Sequence, residues 1–114
     1  MALNPADSSA NLRLLKTNLH KSSREDPINC VVVLLKDGSV GIAAHKVRHG
    51  RDLARDAGSH DQVTRTFDGK AYLGGDGDSG TLYLILDGAA SSLASKLKVA
   101  LRGIGIHKVE ISGG

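Results

Sequence analysis

The fold is decided by residues 28–45, which read INCVVVLLKDGSVGIAAH. Two runs rich in apolar and β-branched residues, Ile28–Leu35 and Val40–His45, flank a short polar segment, and such runs favour β-strands. The Asp37-Gly38 pair readily takes the two positive-φ positions of a tight turn. The stretch therefore predicts a β-hairpin, and because both of its faces are apolar we expect an interior pair of strands covered on two sides.

The register of this hairpin decides which side chains share a face. A two-residue loop pairs Leu35 with Val40 and, at the far end, Cys30 with His45. A thiol beside an imidazole is the arrangement that activates a cysteine nucleophile, but a cysteine within an apolar run is more often an inert small hydrophobe. We favour the inert interpretation and predict no catalytic residue.

Three helices are predicted around the hairpin. The first covers about residues 5–23, where leucines recur at helical spacing and Pro27 prevents continuation. A short middle helix is predicted over about 50–57. The third is amphipathic, with an alanine and leucine stripe from Ala90 to Leu101 and a stop at Gly103.

Further strands are predicted in the second half of the chain. The Asp-Gly pair at 68–69 predicts a second hairpin whose arms are Val63–Phe67 and Lys70–Gly74. Thr81–Leu86 reads as a buried strand, and Ile106–Ile111 alternates like a last strand with one buried side.

This order of elements predicts an α+β domain. It has a single, mostly antiparallel β-sheet of about five to six strands, an N-terminal helix, a short middle helix and a C-terminal amphipathic helix. The 114 residues fit one domain, 1–114, because two domains would each be too small for a core of their own. The composition, 40% hydrophobic and 24% charged, is that of an ordinary globular domain. One cysteine, no visible secretory signal and no apolar span predict a soluble, cytoplasmic protein without a membrane partner.

The predicted second hairpin suggests a nucleic-acid surface. Its turn would gather rings and cations on one face, with Arg65 opposite Tyr72 and with Phe67 and Lys70 beside them. Rings offer stacking for bases and cations offer charge for phosphates, which is typical of proteins that bind RNA or single-stranded DNA. The alternative is a cation–π pair of Arg65 with Tyr72 and a core-facing Phe67, which needs no ligand. The net charge of +3 is compatible with either.

Polar residues elsewhere suggest weaker possibilities. Three histidines lie within one part of the chain: His45, His49 and His60. As base and acid they could serve a small ribonuclease, although solvated loop histidines are commoner. Three aspartates loosely imitate a calcium loop: Asp76, Asp78 and Asp87. That loop lacks the glycine it needs and leads into an apolar strand, so we predict no metal site and no cofactor.

Two segments resemble the roadblock/dynein light chain family. Residues 31–43, VVVLLKDGSVGIA, are similar to its first hairpin, and residues 77–86, GDSGTLYLIL, followed by an Ala/Leu helix, are similar to its final strand and helix. The resemblance covers about residues 10–102. It implies a homodimeric scaffold that binds protein partners, often around small GTPases, without catalysis of its own.

The sequence as a whole favours a small non-enzymatic protein-interaction module, expected to be a homodimer with a further, unidentified protein partner. The doubly apolar first hairpin supports this prediction, because a second subunit could cover part of the sheet. The dimer contacts are expected from that hairpin or from the short middle helix, and the interface residues named are those of the hairpin: Val31, Val33, Leu35, Val40 and Ile42. The alternatives are the nucleic-acid surface and the small ribonuclease.

Overall fold

The computed structural model describes residues 15–46, 52, 55, 59, 61–74, 80–86, 88 and 92–113. Its strands are β1 (Ile28–Leu35), β2 (Val40–His45), β3 (Val63–Gly74), β4 (Thr81–Leu86) and β5 (Lys108–Ser112). Residues 15–19 are helical, the C-terminal helix covers Ser92–Ala100, and a 3₁₀ turn follows at Arg102–Ile104. The predicted α+β class is confirmed, and the runs predicted as β1, β2 and β4 have the predicted bounds.

The strands form one mixed five-stranded sheet in the order β2-β1-β3-β4-β5. Each neighbouring pair is antiparallel except β4 and β5, which are parallel. A parallel pair cannot be joined by a tight turn, and the C-terminal helix lies in the connection between these two strands. Of the middle helix predicted over 50–57, only Asp52 and Arg55 are described, and both are helical.

The main core lies between the sheet and the helical segments. Its fully buried members come from both helical segments, from the residue after the C-terminal helix and from strands β1 to β4: Leu15, Leu19, Val32, Ile42, Ala71, Leu82, Leu84, Leu97 and Leu101. We call this side of the sheet the helix face. On the other side, strands β3 to β5 present a surface that we call the open face: Asp68, Lys70, Tyr72, Tyr83, Ile85, Lys108, Glu110 and Ser112.

The register of the first hairpin differs from the predicted one by one residue. Val40 pairs with Leu34 instead of Leu35, because the Leu35 amide donates to the Ser39 carbonyl at 2.9 Å and leaves a three-residue loop. Only Gly38 in this loop has a positive φ, 88°, whereas a two-residue loop of the expected kind needs two such residues. The predicted pairing was therefore wrong.

This shift separates the expected interface residues. Val31, Val33 and Leu35 form a second buried cluster on the side away from the helices, whereas Val40 and Ile42 belong to the main core. A one-residue slip has this effect because side chains alternate between the two faces of a strand. Both faces of the hairpin are covered as predicted, but β2 is an edge strand and only β1 is interior.

The hairpin loop gives a pH-dependent prediction. The Asp37 carboxylate accepts hydrogen bonds from the hydroxyl and the amide of Ser39, and these bonds lower the pKa of Asp37. A lowered pKa means that the stabilisation is present above the unfolded value, about 3.9, and is lost as the pH falls through the folded value. Asp37→Ala should therefore destabilise the protein in urea unfolding at pH 7 and have a smaller effect at pH 2. Equal effects at both pH values would contradict this.

The predicted second hairpin is wrong, because β3 is one continuous strand from Val63 to Gly74. Gly69 does not have a positive φ and makes no turn. A Cβ at this glycine would lie 1.9 Å from the Ile85 carbonyl oxygen, so the missing side chain allows the backbone of β4 to approach closely. A glycine inside a strand often marks such an approach.

The helices and the last strand also differ from their predicted bounds. The helical residues 15–19 end well before residue 23, and the turn is closed by the Ser22 amide donating to the Leu19 carbonyl at 3.0 Å. At the other end of the chain Gly105, not Gly103, takes the left-handed conformation, with φ 81°. Strand β5 starts at Lys108 instead of residue 106. The predicted helical residues 5–14, 90 and 91 lie outside the described part of the chain.

Candidate functional site

The four residues predicted for nucleic-acid binding are divided between the two faces of the sheet. Because β3 is continuous, Arg65 and Phe67 lie on the helix face, and Lys70 and Tyr72 lie on the open face. Phe67 is only 4% exposed, and the Arg65 guanidinium carbon lies 4.8 Å from its ring centroid. Arg65 and Tyr72 are about 24 Å apart along the strand, at roughly 3.4 Å per residue. The predicted opposition of Arg65 and Tyr72 was therefore wrong.

The partner of Tyr72 is Tyr83 on β4. The two residues are direct cross-strand neighbours, and their rings stack with centroids 4.9 Å apart and an angle of 17° between the planes. Both residues are partly exposed on the open face. Sequence reasoning missed Tyr83 because it lies in an apolar run, and only its alternation with the buried Leu82 and Leu84 could have placed it on the opposite side.

A glycine makes room for this ring pair. A Cβ at Gly74 would lie 2.5 Å from the Cε2 atom of Tyr83 and 3.5 Å from the Cε2 atom of Tyr72. The Tyr83 ring therefore lies against the backbone at the end of β3, and a larger residue at 74 would require this ring to move.

The segment before β1 brings a guanidinium to the ring pair. The Ser22 hydroxyl accepts a hydrogen bond from the Leu73 amide at 3.1 Å and donates to the Leu19 carbonyl, which fixes this segment to the end of β3. Arg24 follows directly, and a hydrogen bond with the Tyr72 hydroxyl raises the pKa of Arg24. A residue close to β1 thereby joins a surface built mainly by β3 and β4.

Two lysines lie on either side of the tyrosines. Lys70 donates to the side-chain oxygen of Asn29 at 2.6 Å, so its partner in this bond is a neutral group. Lys108 on β5 makes an ion pair with Glu110 at 3.0 Å, and its hydrogen bond to Glu110 raises the pKa of Lys108. Arg24 and Lys70 therefore hydrogen-bond to neutral groups, with the Glu25 carboxylate as a weaker neighbour of Arg24, whereas Lys108 is paired with a carboxylate.

The expected interface residues expose almost no surface within one chain. Val31, Val33 and Ile42 are each 1% exposed, and Val40 and Leu35 are 4% and 8% exposed. A second subunit is therefore not needed to cover them. Among the described residues, the large apolar side chains that are exposed are Ile85 on the open face and Val99 on the C-terminal helix.

The proposed contact of Cys30 with His45 does not form. Cys30 pairs with Ala44 and lies in the main core, whereas His45 pairs with Asn29 and lies on the other side of the sheet. Complete burial raises the pKa of the Cys30 thiol to about 12, which keeps it protonated and unreactive at neutral pH. The inert interpretation fits this environment.

Thiol labelling gives a direct check on this environment. We expect iodoacetamide at pH 8 to leave Cys30 of the native protein unmodified for hours and to alkylate it within minutes in 6 M guanidinium chloride. Mass spectrometry distinguishes the two states. Rapid alkylation of the native protein would contradict the burial of Cys30.

The remaining polar candidates give no site in the described part of the chain. Within that part, no three histidine, cysteine, aspartate or glutamate side chains are grouped so that they could hold a metal ion. The other predicted candidates lie outside the described residues: His49, His60, Asp76, Asp78 and Asp87. In the same described part, no helix is long and apolar enough to cross a bilayer.

Comparison of this chain with protein-family models, with curated proteins and with solved structures finds no match.

Proposed function

We propose that the open face binds single-stranded nucleic acid, RNA or DNA. Tyr72 and Tyr83 act as the stacking residues for bases, and Arg24 and Lys70 contact phosphates. The observation that carries this proposal is the stacked tyrosine pair on an accessible sheet face with cations beside it.

The chemistry of the face fits this kind of ligand. Aromatic side chains bind bases of any sequence, at about 1–3 kcal/mol per stacked base, because every base has a π-face. Ordered strands hold both rings in place before a ligand arrives, and this lowers the entropy lost on binding. Arg24 and Lys70 supply the charge that a phosphate backbone requires, since both hydrogen-bond to neutral groups, the Tyr72 hydroxyl and the Asn29 side chain, and the Glu25 carboxylate acts on Arg24 only more weakly.

The homodimeric protein-interaction module has less support in the geometry. A second subunit on the first hairpin would need exposed apolar surface there, and the five expected interface residues are buried within one chain. It stays a prediction, as do the roadblock resemblance and the unidentified protein partner. The small ribonuclease also stays a prediction, because only His45 of its three histidines lies in the described part of the chain.

Salt dependence tests the proposal. Two phosphate contacts give a slope of roughly −1.4 in the logarithm of affinity against the logarithm of salt, from about −0.7 per contact on single strands. Affinity for a fluorescein-labelled ten-nucleotide RNA should therefore fall about sevenfold between 50 and 200 mM NaCl, as measured by anisotropy.

Single lysine variants provide the matched control. Lys70→Ala should weaken binding and reduce the salt slope by about 0.7, since it removes one contact. Lys98→Ala removes an exposed lysine of the same charge from the C-terminal helix and should change neither quantity. The proposal fails if no RNA or DNA oligonucleotide binds at 50 mM NaCl, or if the two variants behave alike.

A further inference from the structure

We propose that the Lys108–Glu110 pair is a base-reading pair that gives the open face a preference for guanine. This inference rests on the proposed function, because it concerns which base is held beside the tyrosines. The pair is not needed for stacking or for phosphate contact, so it can be tested separately from both.

The register of β5 places this pair next to the aromatic rings. Glu110 is the direct neighbour of Tyr83, and Lys108 is the direct neighbour of Thr81. The two charged residues alternate with the inward-facing Val109, so both lie on the open face. The Lys108 side chain is 64% exposed and the Glu110 side chain 48% exposed, and a ligand can therefore reach both.

A recess lies between the rings and this strand. The open face contributes Tyr72, Tyr83, Ile85, Glu110 and Ser112 to its lining, and Ala94, Val109 and Ile111 complete it. Lys108 is not part of this lining, but its ammonium lies 3.0 Å from the Glu110 carboxylate and therefore next to the recess. A base in this recess would have aromatic and apolar surface against its plane and the Glu110 carboxylate at its edge. The recess thus combines a surface for stacking with a group that accepts hydrogen bonds.

The Glu110 carboxylate indicates which part of a nucleic acid lies beside it, because a carboxylate cannot bind phosphate favourably. A negative side chain repels a phosphate backbone, whereas it accepts hydrogen bonds from N–H groups on base edges. On a face that binds nucleic acid, Glu110 is therefore placed to contact a base.

Guanine fits the two charges together. Its Watson–Crick edge presents the N1–H and N2–H donors side by side, which can bind one carboxylate in a bidentate manner, followed by the O6 acceptor, which can receive a hydrogen bond from an ammonium. Adenine and cytosine present a ring-nitrogen acceptor at the position of N1–H. Uracil presents a single donor between two carbonyl oxygens, which a carboxylate repels. Guanine is thus the one common base whose edge complements Glu110 and Lys108 at once.

The test uses uridine heptamers with one central guanosine, adenosine or cytidine, measured by anisotropy at 50 mM NaCl. The guanosine heptamer should bind about tenfold tighter than the all-uridine one, within the range for a bidentate base contact. Replacing guanosine with inosine, which lacks the N2 amino group, should remove most of this preference in the unmodified protein.

Two variants of the protein complete the test. Glu110→Gln should reduce the guanosine preference to less than about twofold and make the protein insensitive to inosine, while the all-uridine heptamer still binds. Asp68→Asn removes another exposed carboxylate from the same face and should leave the preference unchanged. Equal binding of all heptamers, or a preference that Glu110→Gln leaves intact, overturns the inference and leaves the proposed function standing. Absence of binding by every heptamer overturns both.

Discussion

Replacing Gly69 with alanine should destabilise the domain by about 3 kcal/mol, the upper end of the usual cost of overpacking and a large part of the 5–15 kcal/mol typical of a whole domain. The added Cβ would lie 1.9 Å from the Ile85 carbonyl oxygen and 2.9 Å from its carbonyl carbon. These are backbone atoms of the neighbouring strand, so the clash cannot be relieved by turning a side chain. Strands β3 and β4 would have to separate at the position where Gly69 pairs with Leu86.

Urea unfolding followed by circular dichroism measures this effect. Gly113→Ala is the matched control, because its Cβ would meet only the Leu86 carbonyl oxygen, at the ordinary contact distance of 3.7 Å. The control should stay within about 0.5 kcal/mol of the unmodified protein. If both variants were equally stable, residues 68–69 would not lie inside a continuous strand, and the division of residues between the two faces would be wrong.

Removing the rings of Tyr72 and Tyr83 should have the largest effect on binding. Each alanine variant should weaken binding of a short single-stranded RNA by about 5- to 150-fold, corresponding to about 1–3 kcal/mol per stacked base. The double variant should lose about 100-fold or more. Its loss need not be the sum of the single losses, because the two rings contact each other.

Phenylalanine at the same positions separates stacking from hydrogen bonding. Tyr72→Phe and Tyr83→Phe keep the rings and should retain affinity within about threefold. Tyr72→Phe also removes the hydrogen bond to Arg24 and should therefore show the larger of the two losses. Thermal unfolding confirms that each variant is folded before its affinity is measured. Alanine variants that are folded and bind as well as the unmodified protein would exclude the rings as stacking residues.

The local sequence pattern was sufficient to predict the bounds of those strands whose pattern fits only one type of secondary structure. The short apolar runs that form β1, β2 and β4 are bounded by turn residues and lack helical spacing of their apolar residues, so their bounds were predicted correctly. The residue pairing of β1 with β2 was predicted incorrectly, because Asp-Gly occurs in both two-residue and three-residue loops. The sequence does not determine whether Asp37 takes a positive φ.

The site required information that no local pattern contains. Asp68-Gly69 reads as a turn, and only the approach of the β4 backbone reveals why a glycine stands there. With a turn predicted at 68–69, β3 was divided into two paired arms. Arg65 was therefore expected opposite Tyr72, and Tyr83 was assigned no role. Arg24 reaches Tyr72 through the hydrogen bond of Ser22 with Leu73, a contact between residues distant in the sequence. Of the four predicted nucleic-acid residues, Lys70 and Tyr72 consequently remain on the open face.

Mapping the bound oligonucleotide by NMR tests the central claim most directly. With ¹⁵N-labelled protein at 50 mM NaCl, a seven-nucleotide single-stranded RNA should shift the amide resonances of Lys70, Tyr72, Tyr83 and Glu110. Those of Lys96, Val99 and Ala100 in the C-terminal helix, which lie beside Gly38 and Val40 and away from the recess, should stay unchanged. Shifts confined to that helix, or none at saturating RNA, would contradict a nucleic-acid site on the open face.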